Sequence, residues 1–184
     1  MAAARKIRRT GILGGSALIF VTVGSVFPFD RLIRAMDDWA YLHPEEHVTA
    51  QVGRSGYEPR HMEWFSNISP GDFRARVKDS SVIVAHTGMG TVITAAEFGR
   101  PIVLLPRRAD LAEHTTDHQR HTANWLKDKP GIFVCMDENE LDASIAKAYA
   151  AGASKQWNIS KVAPSEMTER IREFIGGDPP KPRQ

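Results

Sequence analysis

His86-Thr87-Gly88-Met89-Gly90-Thr91 follows the apolar run Val82 to Ala85 and leads into a segment of helical periodicity. A strand-to-helix turn of this kind offers unbonded backbone N–H groups at the positive end of a helix dipole, and its two glycines let a ligand come close to the main chain. The chemistry these features suit is the binding of an anion such as a pyrophosphate. Thr91 is placed to cap the helix, and Thr94 lies one turn further along on the same side. The turn has neither the Gly-Lys-Ser/Thr of a P-loop nor a Gly-x-Gly-x-x-Gly dinucleotide fingerprint. Read alone, it is equally a plain tight turn with His86 bonded to backbone.

A second concentration of reactive side chains lies downstream. Arg107, Arg108, Asp110, Glu113, His114, Asp117, His118 and Gln119 fall within 13 residues after the run Ile102 to Leu105. Arg107 and Arg108 have the fork geometry to clamp a phosphate or a sugar carboxylate, and Asp117 or Gln119 can bind sugar hydroxyls. The alternative is a solvated charged loop. His114, His118 and His121 match no fixed metal spacing, so no metal is expected. Two glycine-bearing loops add to this set. Val23-Gly24-Ser25 offers amides and a hydroxyl at a helix start, and Gln51 to Pro59 carries Tyr57, which can stack on a base or sugar; both also read as ordinary turns.

These loops have to be positioned by strands. Six runs qualify: Leu18 to Val23, His47 to Val52, Met62 to Phe65, Val82 to Ala85, Ile102 to Leu105 and Ile132 to Cys135, several of them rich in the β-branched residues of buried strands. Phe29, Leu32, Ile33, Met36 and Ala40 have helical spacing directly after the first run. Further helices fit Asp72 to Lys78, Thr91 to Phe98, Asp117 to Lys127, Asp137 to Ala151 and Pro164 to Ile175, the last with Met167, Ile171, Phe174 and Ile175 on one face. Strands alternating with helices predict one α/β domain, a Rossmann-like doubly wound parallel sheet of about six strands. Ligands of such a fold sit beyond the carboxyl ends of the strands, where all the loops above would lie.

Composition narrows the function classes. The 184 residues include 24 Lys and Arg against 22 Asp and Glu. Arg5, Lys6, Arg8 and Arg9 give the first ten residues +4, and the tail from Gly176 carries +1, which leaves the body near −3. A nucleic-acid groove across the folded face is therefore not expected. The single cysteine, Cys135, excludes an internal disulfide and fits a reducing compartment. The apolar run Gly11 to Val23 spans 13 residues with three glycines, short of the roughly 20 needed to cross a bilayer. Its second half reads as a buried strand. Residues 1–17 are expected to be a basic extension, 18–175 the domain and 176–184 a flexible tail.

In order along the chain, Val21-Thr22-Val23-Gly24-Ser25, Gln51-Val52-Gly53, the His86 to Thr91 turn, Gly99-Arg100-Pro101 and Asp117-His118-Gln119 together resemble the C-terminal domain of glycosyltransferase family 28, over roughly Leu18 to Phe174. Within that family the chain looks most similar to the small subunits of split bacterial exopolysaccharide and capsule enzymes. It is also similar to the donor-binding subunit of the two-chain enzyme that extends a dolichol-linked precursor. The resemblance implies the C-terminal half of a GT-B fold that binds a UDP-sugar. A membrane-associated partner subunit would hold a lipid-linked saccharide acceptor. Transfer would invert the anomeric carbon and need no obligatory cofactor or metal, and the chain would be cytoplasmic, brought to the membrane by its partner.

Carried over position by position, Gly88, Met89, Gly90 and Thr91 would meet the diphosphate together with His86. Asp117, His118 and Gln119 would meet the sugar. From their chemistry alone, Gly24 and Ser25 are expected to line the same crevice and Arg107 to clamp phosphate or a sugar carboxylate. The peptidoglycan relative has a ribose-binding acid at the position of Thr94. Here the nearest acid is Glu97, one turn later, so either residue takes that task. Glu113 and His114 are the candidates in this chain for the general base that an inverting transfer requires; the base can instead come from the partner. Two other functions fit the same motifs: a non-catalytic nucleotide-sugar-binding accessory subunit, and a half-domain like that of a UDP-sugar epimerase.

Overall fold

The computed structural model describes residues 18–152 and 165–176. Residues 1–17, and the tail from residue 177 on, lie outside the described residues.

Six strands form one all-parallel sheet: β1 (Leu18–Thr22), β2 (His47–Gln51), β3 (Glu63–Phe65), β4 (Val82–His86), β5 (Ile102–Leu105) and β6 (Ile132–Val134). The spatial order is β3-β2-β1-β4-β5-β6. Thr22 stands level with Gln51 of β2 on one side and with Ala85 of β4 on the other. The chain builds one half of the sheet outward from β1, then returns to the centre and builds the other half from β4. Between β1 and β4 the connections leave in opposite directions, and a crevice opens there at the strands' carboxyl ends.

Alternation along the strands sends side chains to two faces. Ile19 and Val21 of β1, Val82 and Val84 of β4, and Val103 and Leu105 of β5 pack with Leu32, Ile33 and Met36 of α1 (Asp30–Leu42) and with Ile145 and Ala148 of α5 (Leu141–Ala151). Phe20, Ile83, Ala85, Ile102 and Leu104 face the other way. There they meet Val77 of α2 (Pro70–Asp79), Val92 and Ala95 of α3 (Met89–Glu97), and Leu126 of α4 (His118–Leu126). Strands covered on both faces must be apolar throughout, which explains why they appear as continuous runs. The last helix, α6 (Ser165–Ile175), leaves its apolar stripe of Met167, Ile171, Phe174 and Ile175 exposed.

All six expected strands are present, most one residue shorter than expected. Three helix starts differ by two residues or more. α2 begins at Pro70, where Ser69 accepts the N–H of Asp72 and proline suits the first turn. α3 begins at Met89 rather than Thr91, with Gly88 as N-cap. The stretch from Asp137 opens as a 3-10 turn before α5.

Away from the crevice, Asp37 is buried on α1 and accepts the Tyr57 hydroxyl at 2.6 Å and the N–H groups of Arg60 and His61. Burial disfavours its charge, but these donors outweigh burial and hold the carboxyl below its ordinary range. The Tyr57 ring lies against Arg34. Tyr57 therefore fastens the 52–60 loop to α1 and is not turned out to stack on a ligand. Cys135 is buried beneath β5 with its thiol on the Leu104 carbonyl, and burial pushes its pKa up to about 12.

Candidate functional site

The β1, β2 and β4 loops meet at the switch point through glycines. Gly24 has φ +74° and Gly53 φ +60°, backbone that side-chain-bearing residues rarely adopt. A Cβ on Gly53 would lie 2.8 Å from the Gly24 carbonyl oxygen, and one on Gly24 would lie 3.0 Å from Cε1 of His86. On the other side of the imidazole, a Cβ on Gly88 would collide with Nε2. The His86 ring is thus lodged between two glycines, which accounts for residue types at positions 64 residues apart.

That confinement sets the ring's chemistry. Burial first, then the nearby Arg107 guanidinium and His114, depress the His86 pKa to about 4, with the Thr22 backbone pulling the other way. At neutral pH the imidazole is uncharged. Its Nδ1 is buried and has no partner of hydrogen-bonding geometry among the described residues. The adjoining Thr87 is 4% exposed and its hydroxyl is likewise unpartnered. Buried polar atoms nearly always find partners, so two orphans on consecutive residues mark this turn.

Beside them α3 begins. Gly88 is its N-cap in an extended conformation with no side-chain cap, which leaves the first-turn N–H groups of Met89 and Gly90 without intrahelical acceptors. Nothing lies within 4 Å of a Cβ placed on Gly90, and the residue is exposed. Thr91, expected as the cap, instead sits buried two residues into the helix. Its N–H bonds back to the Gly88 carbonyl. Thr94 turns its hydroxyl onto the Gly90 carbonyl at 2.8 Å.

The β5–α4 loop overturns several expectations. Arg107 is 2% exposed, and its two terminal nitrogens donate to the carbonyls of Val23 (2.7 Å), Phe27 (2.9 Å), Pro28 and Glu113 (3.4 Å). It is a strut inside the domain, not a clamp open to phosphate. Glu113 takes a bidentate contact from Arg31 of α1 at 2.7 and 2.9 Å and also accepts the Arg108 N–H at 2.8 Å. With both oxygens engaged by donors, this carboxylate is poorly suited to accept a proton. Arg108 pairs with Asp110 at the surface. Gln119 is buried and accepts the Arg107 N–H, and Asp117 accepts the Ala109 N–H.

His114 is held between Phe27 (ring centroids 5.0 Å) and His118 (4.3 Å). Burial, then the neighbouring His118 and Arg107, lower its pKa. Nδ1 accepts the Thr115 N–H at 2.9 Å, so the neutral ring carries its proton on Nε2. The other nitrogen is then a donor, not a base. His118 bonds through Nδ1 to the Thr116 hydroxyl. Glu97, the alternative ribose acid, lies at the far end of α3 and binds Arg74 of α2 through both oxygens. It is a helix length away from the Gly88 turn, a separation that spacing alone did not convey. Ser25 is exposed on the loop beyond Gly24.

Residues 18–173 match the glycosyltransferase family 28 C-terminal domain. The chain belongs to that family. Among relatives, the UDP-N-acetylglucosamine--N-acetylmuramyl-(pentapeptide) pyrophosphoryl-undecaprenol N-acetylglucosamine transferase of Caulobacter vibrioides is 29% identical over 92 residues, half of this chain but 24% of that protein. The chain thus corresponds to about a quarter of its relative's length. Among solved structures, the glycotransferase of kitacinnamycin superposes with a TM-score of 0.58 at 17% identity, over 80% of this chain and 39% of the other. ALG13 superposes at 0.53 and 15% identity, over 88% of this chain and 96% of its own. At these identities the structural likenesses define the fold, a single parallel six-stranded sheet corresponding to the C-terminal half of a GT-B enzyme.

Sequence reasoning gave Thr22, Gln51 and Thr87 no role beyond membership of their motifs and missed Arg31. The Thr22 hydroxyl donates to Gln51 Oε1 at 2.7 Å between the ends of β1 and β2, and their polar types at the ends of apolar runs were a usable signal. Arg31 had none, because its partner Glu113 lies 82 positions away.

Proposed function

We propose that this chain is the donor-binding half of a UDP-sugar-dependent, inverting glycosyltransferase, in which a second, membrane-associated chain supplies the surface for a lipid-linked saccharide acceptor. The observation that carries this reading is the corner at the switch point: two unpartnered buried groups, His86 Nδ1 and Thr87 Oγ1, beside the uncapped N-terminus of α3. A diphosphate seated there meets the Met89 and Gly90 amides and the positive end of the helix. These favour the negative charge that builds on the departing UDP as the glycosidic bond breaks. Neutral His86 acts as a hydrogen-bonding group and not as a cation. Gly24 and Ser25 border the donor from the β1 side, and Asp117 and His118 face it from the α4 side.

The acceptor hydroxyl must lose a proton, and neither Glu113 nor His114 is arranged to take it. The base then belongs to the acceptor-holding half. An exposed apolar stripe on α6 and exposed Val26, Phe27 and Leu111 on the β1 and β5 loops are consistent with a chain that works against another surface. No helix among the described residues is long and apolar enough to cross a membrane. The resemblance to split exopolysaccharide enzymes supports a role in bacterial polysaccharide assembly.

Isothermal titration of the purified chain with UDP should give saturable binding, and sugar transfer should require the second chain. Absence of binding at millimolar UDP would remove the donor-site reading. The engagement of both candidate bases also suits an accessory subunit that binds donor for another catalyst. Alanine at His86 in the reconstituted pair separates the two: full turnover would favour the accessory role.

A further inference from the structure

One amino group of Arg107, Nη2, donates to Val23 O and Phe27 O, carbonyls that bracket Gly24, Ser25 and Val26. Nη1 donates to the next carbonyl, Pro28, and across to Glu113. All four N–H bonds of the two terminal nitrogens therefore end on backbone. Among the described residues the guanidinium makes no ion pair, because Glu113, the nearest carboxylate acting on it, is bound by Arg31. Burial is costly enough to depress even this group, to about 10. The guanidinium, lying over the Phe29 ring at 4.8 Å and hydrogen-bonded to four carbonyls, binds those carbonyls to one another.

That geometry bears on the crevice. Turning the Val23 and Phe27 carbonyls inward closes the segment between them into an outward bulge, so Ser25 and Val26 are exposed while Val23 is buried. The same closure brings Gly24 against the His86 ring. Through its own N–H, Arg107 also fixes Gln119 at the start of α4. One residue, through its guanidinium and its backbone N–H, thus ties the β1 loop, the β5 loop and the α4 N-terminus together below the switch point.

We propose that Arg107 is a positioning residue: it staples residues 23–28 over His86 and so shapes the donor crevice, without itself touching the donor. The proposal rests on the donor-site reading only for what occupies the crevice. Lysine cannot replace it, since a single ammonium lacks the planar fork that reaches carbonyls on both sides.

The test begins with the wild-type chain. Its Arg107 guanidinium N–H signals in nitrogen-15 NMR should exchange slowly without ligand and stay in place at saturating UDP. Coupling to phosphorus, or loss of protection on UDP addition, would overturn the proposal by making Arg107 a ligand contact. In Arg107→Lys, the amide signals of Gly24, Ser25, Val26 and Phe27 should shift, and UDP affinity should fall by about tenfold in protein that is still folded. A folded Arg107→Lys with unchanged loop amides, or one that loses thermal stability while binding UDP normally, would reduce Arg107 to a packing role. If the variant does not fold, the wild-type measurement still decides. If the wild type binds no UDP, the donor reading fails, while loop amides and guanidinium protection in ligand-free protein still decide the staple.

Discussion

The two sides of the crevice differ in a way that runs against their composition. The β5–α4 loop is dense with charge, yet its functional groups are largely used within the domain: Arg107 on carbonyls, Glu113 on Arg31 and Arg108, Arg108 on Asp110, Gln119 on Arg107. The β4–α3 turn has no charged residue from His86 to Thr91 apart from the ionisable but neutral His86. It nonetheless holds two of the four buried unpartnered side-chain atoms among the described residues. Binding capacity depends on what is left unsatisfied, and a polar-rich loop can satisfy itself.

The contrast can be broken most sharply at Gly90. Gly90→Asp should cut UDP affinity by about 100-fold or more, because it sets a carboxylate against the diphosphate. The fold should survive, since the added atoms enter open space and an acid suits the first turn of a helix. Titration calorimetry alongside a thermal melt reads both; unchanged affinity in a folded variant would end the claim for this turn. On the opposite side, Glu113→Gln should act mainly on stability, costing about 2 kcal/mol through loss of the charged contacts to Arg31. A denaturant melt measures this. A stability-neutral Glu113→Gln with abolished turnover would return Glu113 to the catalytic candidates.

The smallest effect is one of pH. Folding lowers the His86 pKa from 6.5 to about 4, so below pH 6.5 the unfolded chain takes up a proton that the folded chain refuses. Stability should therefore decline as pH falls from about 6.5 to about 4 and be unaffected by this group above that window. His86→Gln should flatten that part of the profile. A wild-type curve flat between pH 7 and 5 would mean that the ring is not sealed between Gly24 and Gly88.

The architecture was legible because burial forces it. Strands covered on both faces must be apolar, and α1 must repeat Leu32, Ile33 and Met36 at helical spacing to cover the sheet. Gly88 and Gly90 were legible as a turn for the same kind of reason. The orientation of polar groups was not. Arg107 and Arg108 are adjacent and chemically alike, but one is a buried strut and the other a surface ion pair. What separates them is the position of the Val23 and Phe27 carbonyls, set 80 or more residues earlier in the chain. Glu97 was misjudged because sequence spacing gives distance along α3 but not which neighbouring helix is within reach.

Cys135 has a practical consequence for studying the crevice. The chain's only thiol is sealed under β5 and held protonated up to about 12, and thiolate is the form that alkylating reagents attack. A cysteine placed at exposed Ser25 would therefore be the sole reactive handle on the folded protein. A fluorophore or spin label there would sit on the stapled bulge and report its movement as ligand enters, with no need to remove the native residue.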